Sequence, residues 1–179
     1  RNNLNQNKIR KKVRRGRKRK NKNCKKWVIY HANIRGYKSK SASLDTVLNS
    51  VKPNVVTLNE HALKNRQKLN IENYKSFTKN RQNEAMGGVS ISVLNDETNS
   101  VVKLCEGPNK DEYIITRHEQ FTPAINIFTI YGESESRTSK ADSEDKWNNI
   151  LNELIKIRNR NENVIIIGDL NKHVGNGEF

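Results

Sequence analysis

The sequence predicts an α/β fold, either a mixed sheet or a sandwich, with helices on the outside. Three observations predict this class. A segment of helical periodicity separates the first two extended segments, several extended segments then follow one another without a helix, and a second helical segment leads into a last apolar strand. The uninterrupted run of extended segments favours antiparallel pairing in the middle of the chain.

The first three elements are a strand, a helix and a second strand. Residues 27–33 predict a strand, and residues 54–59 predict a short buried strand that delivers Glu60 at its end. Between them, Ser43 can cap a helix that Pro53 stops. The apolar positions of this helix recur at helical spacing: Leu44, Val47, Leu48 and Val51.

The central part of the chain is predicted to consist of strands. After Gly87 and Gly88, which suit a turn, residues 89–93 alternate apolar and serine side chains, as in a strand with one buried face. The further strand candidates are residues 74–79, 101–105, 112–118 and 124–131.

A helix and a strand complete the prediction. Residues 139–159 have helical periodicity, and residues 163–168 predict a buried strand that ends in Asp169, with Asn171 two residues further on. In open α/β sheets, ligands bind just outside the carboxyl ends of strands. The apolar residues assigned to one face of the helix are Trp147, Ile150, Leu151, Leu154 and Ile155.

The charge divides the chain of 179 residues into two parts. Residues 1–26 contain 14 lysines and arginines and no acid, which leaves 20 basic and 19 acidic residues for the rest. We therefore expect a disordered basic tail at 1–26 and one domain at 27–179. Basic runs of this kind often bind nucleic acid or direct nuclear import, and the alternative is a solvated leader without a partner.

Several protein classes are disfavoured. The two cysteines, Cys24 and Cys105, fit no metal spacing and no disulfide framework. No apolar run approaches the ~20 residues that span a bilayer, and the amino terminus lacks the apolar region of a signal peptide. These features favour an intracellular protein, with nuclear import a weaker inference from the tail, and no membrane partner.

Oxygen donors follow the predicted strands. Asn33, Glu60 and the pair Asp169 and Asn171 come at three strand ends, and Tyr131 ends a fourth strand. Carboxylate and amide oxygens suit Mg²⁺, with Mn²⁺ as an alternative, far better than zinc. Such an ion can neutralise a phosphodiester oxygen, while a second carboxylate takes a proton from water.

Five segments, in order, resemble the endonuclease/exonuclease/phosphatase family. They are HANIRG (31–36), VVTLNEH (55–61), GGVSISV (87–93), INIFTIYG (125–132) and VIIIGDLN (164–171). The segment from Tyr131 onward looks most similar to the apurinic-type endonuclease domain of non-LTR retrotransposons. The resemblance covers residues 27–179 and implies a four-layered α/β sandwich, with two mixed sheets face to face and helices outside.

The resemblance also implies roles for individual residues. Glu60 looks like the main Mg²⁺ ligand, with Asn33 beside it in the metal and phosphate network. Asp169 resembles the aspartate that orients or deprotonates the attacking water. Asn171 matches the asparagine that holds the phosphate or the nucleophile, and Tyr131 matches a tyrosine near the scissile phosphate.

The sequence departs from the family pattern in one respect. The family has a catalytic histidine in a Ser-Asp-His context on a later strand, whereas His31, His61, His118 and His173 lie in other contexts. The resemblance therefore implies the larger part of a catalytic domain, without that C-terminal segment.

The predicted function is Mg²⁺-dependent phosphodiester hydrolysis, in the form of DNA nicking by a retrotransposon endonuclease. Its partner would be duplex DNA, with the tail on phosphates, and the released 3′-hydroxyl could prime reverse transcription. Two alternatives stay open: an inactive nucleic-acid-binding remnant, and a relative that acts on RNA or a phosphorylated small molecule. Asp169 and Asn171 could also simply suit a turn, Glu60 could be a solvated acid, and Tyr131 could pack at a strand edge.

Overall fold

A computed structural model describes residues 26–64, 66–81, 86–108, 111–132 and 140–171, without the side chains of 140–143. The basic tail, apart from Lys26, lies outside the described residues, as do Cys24 and His173. Within the described part, no helix is both long and apolar enough to cross a bilayer.

Eight strands and two helices make up the described chain. Seven of the strands begin and end within one residue of the predicted bounds, and the first begins two residues later than predicted. The elements in order are β1 (Ile29–Asn33), α1 (Tyr37–Val51), β2 (Val55–Asn59), β3 (Tyr74–Lys79), β4 (Val89–Leu94), β5 (Val101–Glu106), β6 (Glu112–His118), β7 (Ile125–Tyr131), α2 (Lys140–Asn159) and β8 (Asn163–Asp169).

The strands form two mixed four-stranded sheets. Sheet A has the order β1-β2-β4-β3, and sheet B has the order β5-β6-β7-β8. The pairs β1–β2 and β7–β8 are parallel, and the remaining pairs are antiparallel. Each parallel pair is connected through a helix, as such crossovers require. The predicted antiparallel pairing in the middle of the chain is confirmed for β5, β6 and β7, whereas β4 and β5 belong to different sheets.

The two sheets pack face to face and form the core between them. This cluster, which we call the seam, contains side chains from both sheets, among them Ile91 of β4 and Ile114 of β6, each fully buried. On the other side of sheet B, Ile115 and Phe128 pack with Ile150 and Ile157 of α2. On the other side of sheet A, buried leucines of α1 pack on β2. The result is the four-layered α/β sandwich that the resemblance implied.

Helix α1 begins six residues before the predicted cap. The backbone N–H groups of Gly36 and Tyr37 donate to the carbonyls of Glu60 and His61, at 2.8 and 2.9 Å, and these bonds fix the first turn. Ser43 lies inside the helix, so the prediction that it caps the helix was wrong. The polar turns 38–43 point largely to solvent, and the backbone contacts that start the helix come from a distant loop.

Two of the apolar residues assigned to one face of α2 are exposed. Ile150 and Ile157 are buried against sheet B, but Leu151 is 54% exposed and Ile155 46%. Positions 151 and 155 lie beside the contact stripe rather than within it, because the stripe that faces a flat sheet is narrower than the apolar face of the helix.

The prediction that the last strand is buried was also wrong. None of the residues of β8 is buried, and Ile166 is 50% exposed. Within the described residues, β8 is the outer strand of sheet B and pairs with β7 alone. An apolar run of four residues indicates burial, but it does not reveal a strand's position in the sheet.

Candidate active site

The four strand ends that carry oxygen donors lie at one edge of the sandwich. In sheet A the parallel register sets Asn33 beside Asn59, directly before Glu60. In sheet B the parallel register sets Tyr131 beside Asp169. Paired residues point to the same face of a sheet, so the side chains of Tyr131 and Asp169 share a face.

The carboxylate of Glu60 joins the two sheets. Its Oε1 accepts a hydrogen bond from Asn33 Nδ2 at 2.8 Å and a second from the Tyr131 hydroxyl at 2.7 Å. Asn33 and Glu60 belong to sheet A and its loop, whereas Tyr131 belongs to sheet B. The structure thus brings together three of the five predicted site residues through one oxygen atom.

The backbone at Glu60 adopts a conformation that glutamate rarely takes. Its φ is +53°, in the left-handed region, which costs roughly 1–2 kcal/mol for an L residue. The bond from Gly36 N–H to the Glu60 carbonyl helps to hold this conformation. Strained residues of this kind are frequent at functional sites, and Arg35 and Ala62 in the neighbouring loops share the positive φ of Glu60.

The surroundings of Glu60 keep it ionised. Partial burial raises the pKa of its carboxyl group, but the hydrogen bonds from Asn33 and Tyr131 and the charges of Arg35 and Arg81 outweigh burial. The pKa of Glu60 therefore lies below its ordinary value of 4.5. At neutral pH the group is a carboxylate able to bind a cation.

Tyr131 remains protonated at neutral pH and acts as a hydrogen-bond donor. Burial, followed by the hydrogen bond to Glu60 and the charge of that carboxylate, raises the pKa of Tyr131 to about 12. The guanidinium carbon of Arg81 lies 5.5 Å from the centre of the Tyr131 ring, within cation–π range. The phenol is thus held at its ring as well as at its hydroxyl.

Asp169 and Asn171 are fixed by the turn that follows β8. The backbone N–H of Asn171 donates to Asp169 Oδ1 at 3.0 Å, and Asn171 Nδ2 donates to the carbonyl of Gly132 at 2.6 Å. The φ of Asn171 is +45°, which asparagine tolerates better than most residues. The Asn171 side chain also interacts with the Tyr131 hydroxyl, so Asn171 reaches the Glu60 cluster through Tyr131.

The donor set fits a hard divalent cation. Among the described residues, the two side-chain hydrogen bonds to Glu60 both fall on Oε1, which leaves Oε2 able to bind a metal. Within the described ranges, no group of three or more His, Cys, Asp or Glu side chains could hold an ion. One or two carboxylates together with waters and phosphate oxygens are a common set of Mg²⁺ ligands.

The sequence interpretation missed a buried ion pair beside the site. Arg81 Nε and Nη2 donate to the two oxygens of Glu112 at 2.9 and 2.7 Å, and Gly88 N–H donates to Oε1 of the same glutamate. Arg81 is 8% exposed and Glu112 fully buried. A Cβ atom on Gly88 would lie 2.2 Å from the His61 ring, so only glycine fits there. The glycine pair was the signal that could have indicated this close packing.

The described histidines have distinct surroundings. Burial lowers the pKa values of His61 and His118 to about 4, so both rings are neutral in the core. His31 Nδ1 lies 2.9 Å from Thr57 Oγ1, and Asp169 is near enough to act on its charge. Burial lowers the pKa of His31 in spite of both neighbours. His31 is therefore the histidine, among those described, that borders the candidate site.

Comparison with known proteins supports the fold. Neither models of known protein families nor curated proteins match the sequence. Solved structures do match. The 3′ phosphatase NExo from Neisseria, bound to a product DNA hairpin, has a TM-score of 0.59 and 14% identity over 82% of this chain and 58% of its own.

Two further structures match over a similar range. The endonuclease domain of TRAS1, a telomere-specific non-LTR retrotransposon, has a TM-score of 0.58 and 14% identity over 83% of this chain and 62% of its own. An AP endonuclease from Archaeoglobus fulgidus has a TM-score of 0.56 and 17% identity over 81% of this chain and 57% of its own.

These likenesses define the class of fold. The chain has the α/β sandwich of the endonuclease/exonuclease/phosphatase proteins. It spans about three fifths of the length of these solved chains. At these identities the comparison shows the fold, and the chemistry has to be argued from the residues of the site.

Proposed function

We propose that this protein is a Mg²⁺-dependent phosphodiesterase that nicks DNA, of the type found in non-LTR retrotransposons. One observation carries the proposal: Glu60 Oε1 accepts hydrogen bonds from Asn33 in one sheet and Tyr131 in the other, with Asp169 beside Tyr131 in the strand register. The arrangement places an ionised metal ligand (Glu60), a phenol donor (Tyr131) and a second carboxylate (Asp169) at one edge of the sandwich.

The solved structures of the same fold support this reaction class. Two are named as endonucleases and a third as a 3′ phosphatase with DNA bound. Each of these activities breaks a phosphate ester bond. The retrotransposon role rests on the TRAS1 likeness together with the sequence resemblance, and a nick that primes reverse transcription is part of this proposal.

Each residue has a task that its geometry allows. Glu60, with Asn33 beside it, would hold Mg²⁺, which when bound offsets charge on the phosphate and on the leaving oxygen. Asp169 Oδ1 is held by the Asn171 N–H, so its other oxygen can align a water molecule and accept a proton from it. Water then attacks phosphorus and the bond to the 3′-oxygen breaks, which leaves a 5′-phosphate. The 3′-oxygen takes a proton from solvent water and is released as a hydroxyl.

Tyr131 and Asn171 would orient the phosphate. A phenol with a pKa of about 12 stays protonated at neutral pH and does not remove a proton. Its single O–H donates to Glu60 Oε1, so it would turn from that carboxylate to the phosphate when substrate binds. Asn171 Nδ2 donates to the Gly132 carbonyl, which leaves Asn171 Oδ1 to meet the nucleophile or the ion. Asn171 is held before substrate arrives, which lowers the reorganisation required of it in the transition state.

Plasmid nicking tests the proposal. Supercoiled plasmid incubated with the protein and Mg²⁺ should become open circles, and EDTA should stop the reaction. Glu60→Ala and Asp169→Ala should each reduce the nicking rate by about 10²–10⁴-fold, because each removes a group that acts in the transition state. Glu72→Ala is the matched control: it removes an exposed carboxylate near the start of β3, at the opposite end of sheet A, and should leave the rate unchanged.

Two results would contradict this active site. Nicking that persists in both site variants would place the reaction elsewhere. Binding of DNA without any Mg²⁺-dependent cleavage would instead support a nucleic-acid-binding protein without catalysis. Competition of plasmid nicking by RNA or by inositol phosphates would separate DNA from the other phosphate substrates.

A further inference from the structure

A cationic groove runs along one side of the sandwich, where edge strand β3 of sheet A faces edge strand β5 of sheet B. Among the described residues, its lining includes Arg66 and Lys68 from the loop before β3, Lys79 from the end of β3 and Lys103 from β5. Its acid, Glu106, is paired with Lys103 at 3.0 Å. Residues 27–179 carry almost no net charge, so the lining of this groove is more basic than the domain as a whole.

The opposite end of β3 has the opposite charge. The pocket there is lined by Asp45, Glu72 and Asp96 against a single base, Lys52. β3 therefore runs from an acidic end at Tyr74 to a basic end at Lys79. With acidic groups at one end of β3 and basic groups at the other, the electric field of the domain attracts a polyanion to the basic end of the strand.

The strand register connects the basic end to the candidate active site. Asn33 pairs with Asn59, Asn59 pairs with Val89, and Val89 pairs with Lys79, so one row crosses sheet A from the site to the groove. Three strand spacings of ~4.8 Å place Lys79 roughly 14 Å from Asn33 along the same edge. At ~3.4 Å per nucleotide, a DNA strand covers this separation in about four nucleotides.

The wall of the groove is built before any ligand arrives. Asn80, directly after β3, donates from Nδ2 to the carbonyls of Lys64 and Gln67 at 2.8 and 2.9 Å. The turn between those residues is closed by Gln67 N–H to the Lys64 carbonyl and by Lys64 N–H to Gln67 Oε1. Arg66 lies within this turn with φ at +66°. Because these bonds hold Lys64, Gln67 and Asn80 in place in advance, binding loses less conformational entropy.

We infer that the groove holds the phosphate backbone of duplex DNA a few base pairs from the bond that is cut. The inference rests on the proposed function, because it takes the phosphate at Glu60 as the fixed point of the DNA. Arg66, Lys68 and Lys79 contact phosphates, so they add affinity and set the register of the duplex without reading base sequence.

Salt dependence of binding tests the groove separately from catalysis. A fluorescent DNA duplex is titrated with the full chain in EDTA over a series of KCl concentrations. The variant Arg66→Gln/Lys68→Gln/Lys79→Gln should weaken binding. It should also reduce the magnitude of the slope of log affinity against log salt by about 2–3, since each phosphate contact adds about 0.9 to that magnitude.

The control variant removes the same charge from the far end of the molecule. Lys52→Gln/Lys156→Gln/Arg158→Gln alters the ends of α1 and α2 and should keep the slope of the unmodified protein. Equal slopes for the two triple variants would overturn the inference. An unrelated duplex sequence should show the same slope change, and a change confined to one sequence would overturn the claim that the groove contacts phosphates.

A measurement on the unmodified chain does not depend on how the variants fold. Duplex DNA should protect Lys68 and Lys79 from acetylation, as read by mass spectrometry, and leave Lys52 and Lys156 reactive. Unchanged reactivity at Lys68 and Lys79 would contradict the groove. Nicking without protection would contradict DNA binding in the groove and would still support the proposed function. Protection without Mg²⁺-dependent nicking would support DNA binding in the groove and contradict the proposed function.

Discussion

At the scale of single residues, the site depends on how Glu60 is held. Its backbone lies in the left-handed region, and its Oε1 accepts two hydrogen bonds from residues far apart in the chain. Both bonds stabilise the charged form, so the carboxylate is ready for a cation at neutral pH. The same bonds link the ionisation of Glu60 to the stability of the fold.

Removal of the Tyr131 hydroxyl should raise the pKa of Glu60. In Tyr131→Phe the carboxylate loses one donor, whereas Tyr74→Phe loses a hydroxyl that donates to the Pro53 carbonyl at the other end of the sheet. An NMR titration of the Glu60 carboxyl carbon measures the change directly. An unchanged titration in Tyr131→Phe would show that this hydrogen bond does not set the ionisation of Glu60.

The sign of the stability effect follows from the same shift. Because the folded pKa of Glu60 lies below 4.5, the group stabilises the fold at pH values above its unfolded pKa. This contribution is lost as the pH falls through the folded pKa. Unfolding by urea at pH 7 and at pH 3 should therefore show a smaller pH dependence for Tyr131→Phe than for the unmodified protein, and an equal dependence for Tyr74→Phe.

At the scale of elements, the Arg81–Glu112 pair connects the segment after β3 to the first residue of β6. It joins the two sheets beside Tyr131, and it is almost completely removed from water. A buried pair of this kind does not by itself increase stability over an apolar pair, but breaking it leaves an uncompensated charge.

Glu112→Gln should destabilise the protein strongly. Loss of one partner of a buried ion pair costs about 3–5 kcal/mol, measured as the free energy of unfolding in urea. The matched control is Glu106→Gln, which breaks the exposed pair with Lys103 and should cost less than about 1 kcal/mol. Similar losses in the two variants would mean that burial does not decide the contribution of Glu112.

At the scale of the whole molecule, the site exists because two sheets meet. Asn33 and Glu60 come from sheet A, and Tyr131, Asp169 and Asn171 come from sheet B or the turn after it. The buried amide of Asn59, which donates to the Ile130 carbonyl at 3.1 Å, is one of the polar links across the contact. Any change that shifts one sheet on the other moves the two halves of the site apart.

Neighbouring isoleucines on β6 test this dependence. Ile114 and Ile115 are both fully buried, but Ile114 lies in the seam and Ile115 faces α2. Each change to alanine should cost about 2–5 kcal/mol of unfolding free energy. Well below both melting temperatures, only Ile114→Ala should reduce the nicking rate markedly. Equal activity in the two variants would show that the seam does not control the site.

The sequence was informative about elements and weak on their surroundings. All eight strands could be predicted, because period-2 and continuous apolar runs record which residues are buried. The start of α1 could not be predicted, because it depends on backbone groups of the distant loop after β2. The exposure of Leu151, Ile155 and Ile166 could not be predicted either, because it depends on which elements pack against α2 and β8. Arg81 and Glu112 lie 31 positions apart, and no local pattern marks charges that pair across two sheets.

By itself, the sequence determined the order of strands and helices, the fold class, and the oxygen donors that end four strands. These properties are local, because hydrophobic periodicity and turn chemistry act over a few residues. Only the tertiary structure decided that Glu60 accepts bonds from both sheets, that Arg81 lies over Tyr131, and that basic residues line one edge beside the site. Such contacts join residues 27 to 71 positions apart, and only the packing of one sheet on the other sets their distances.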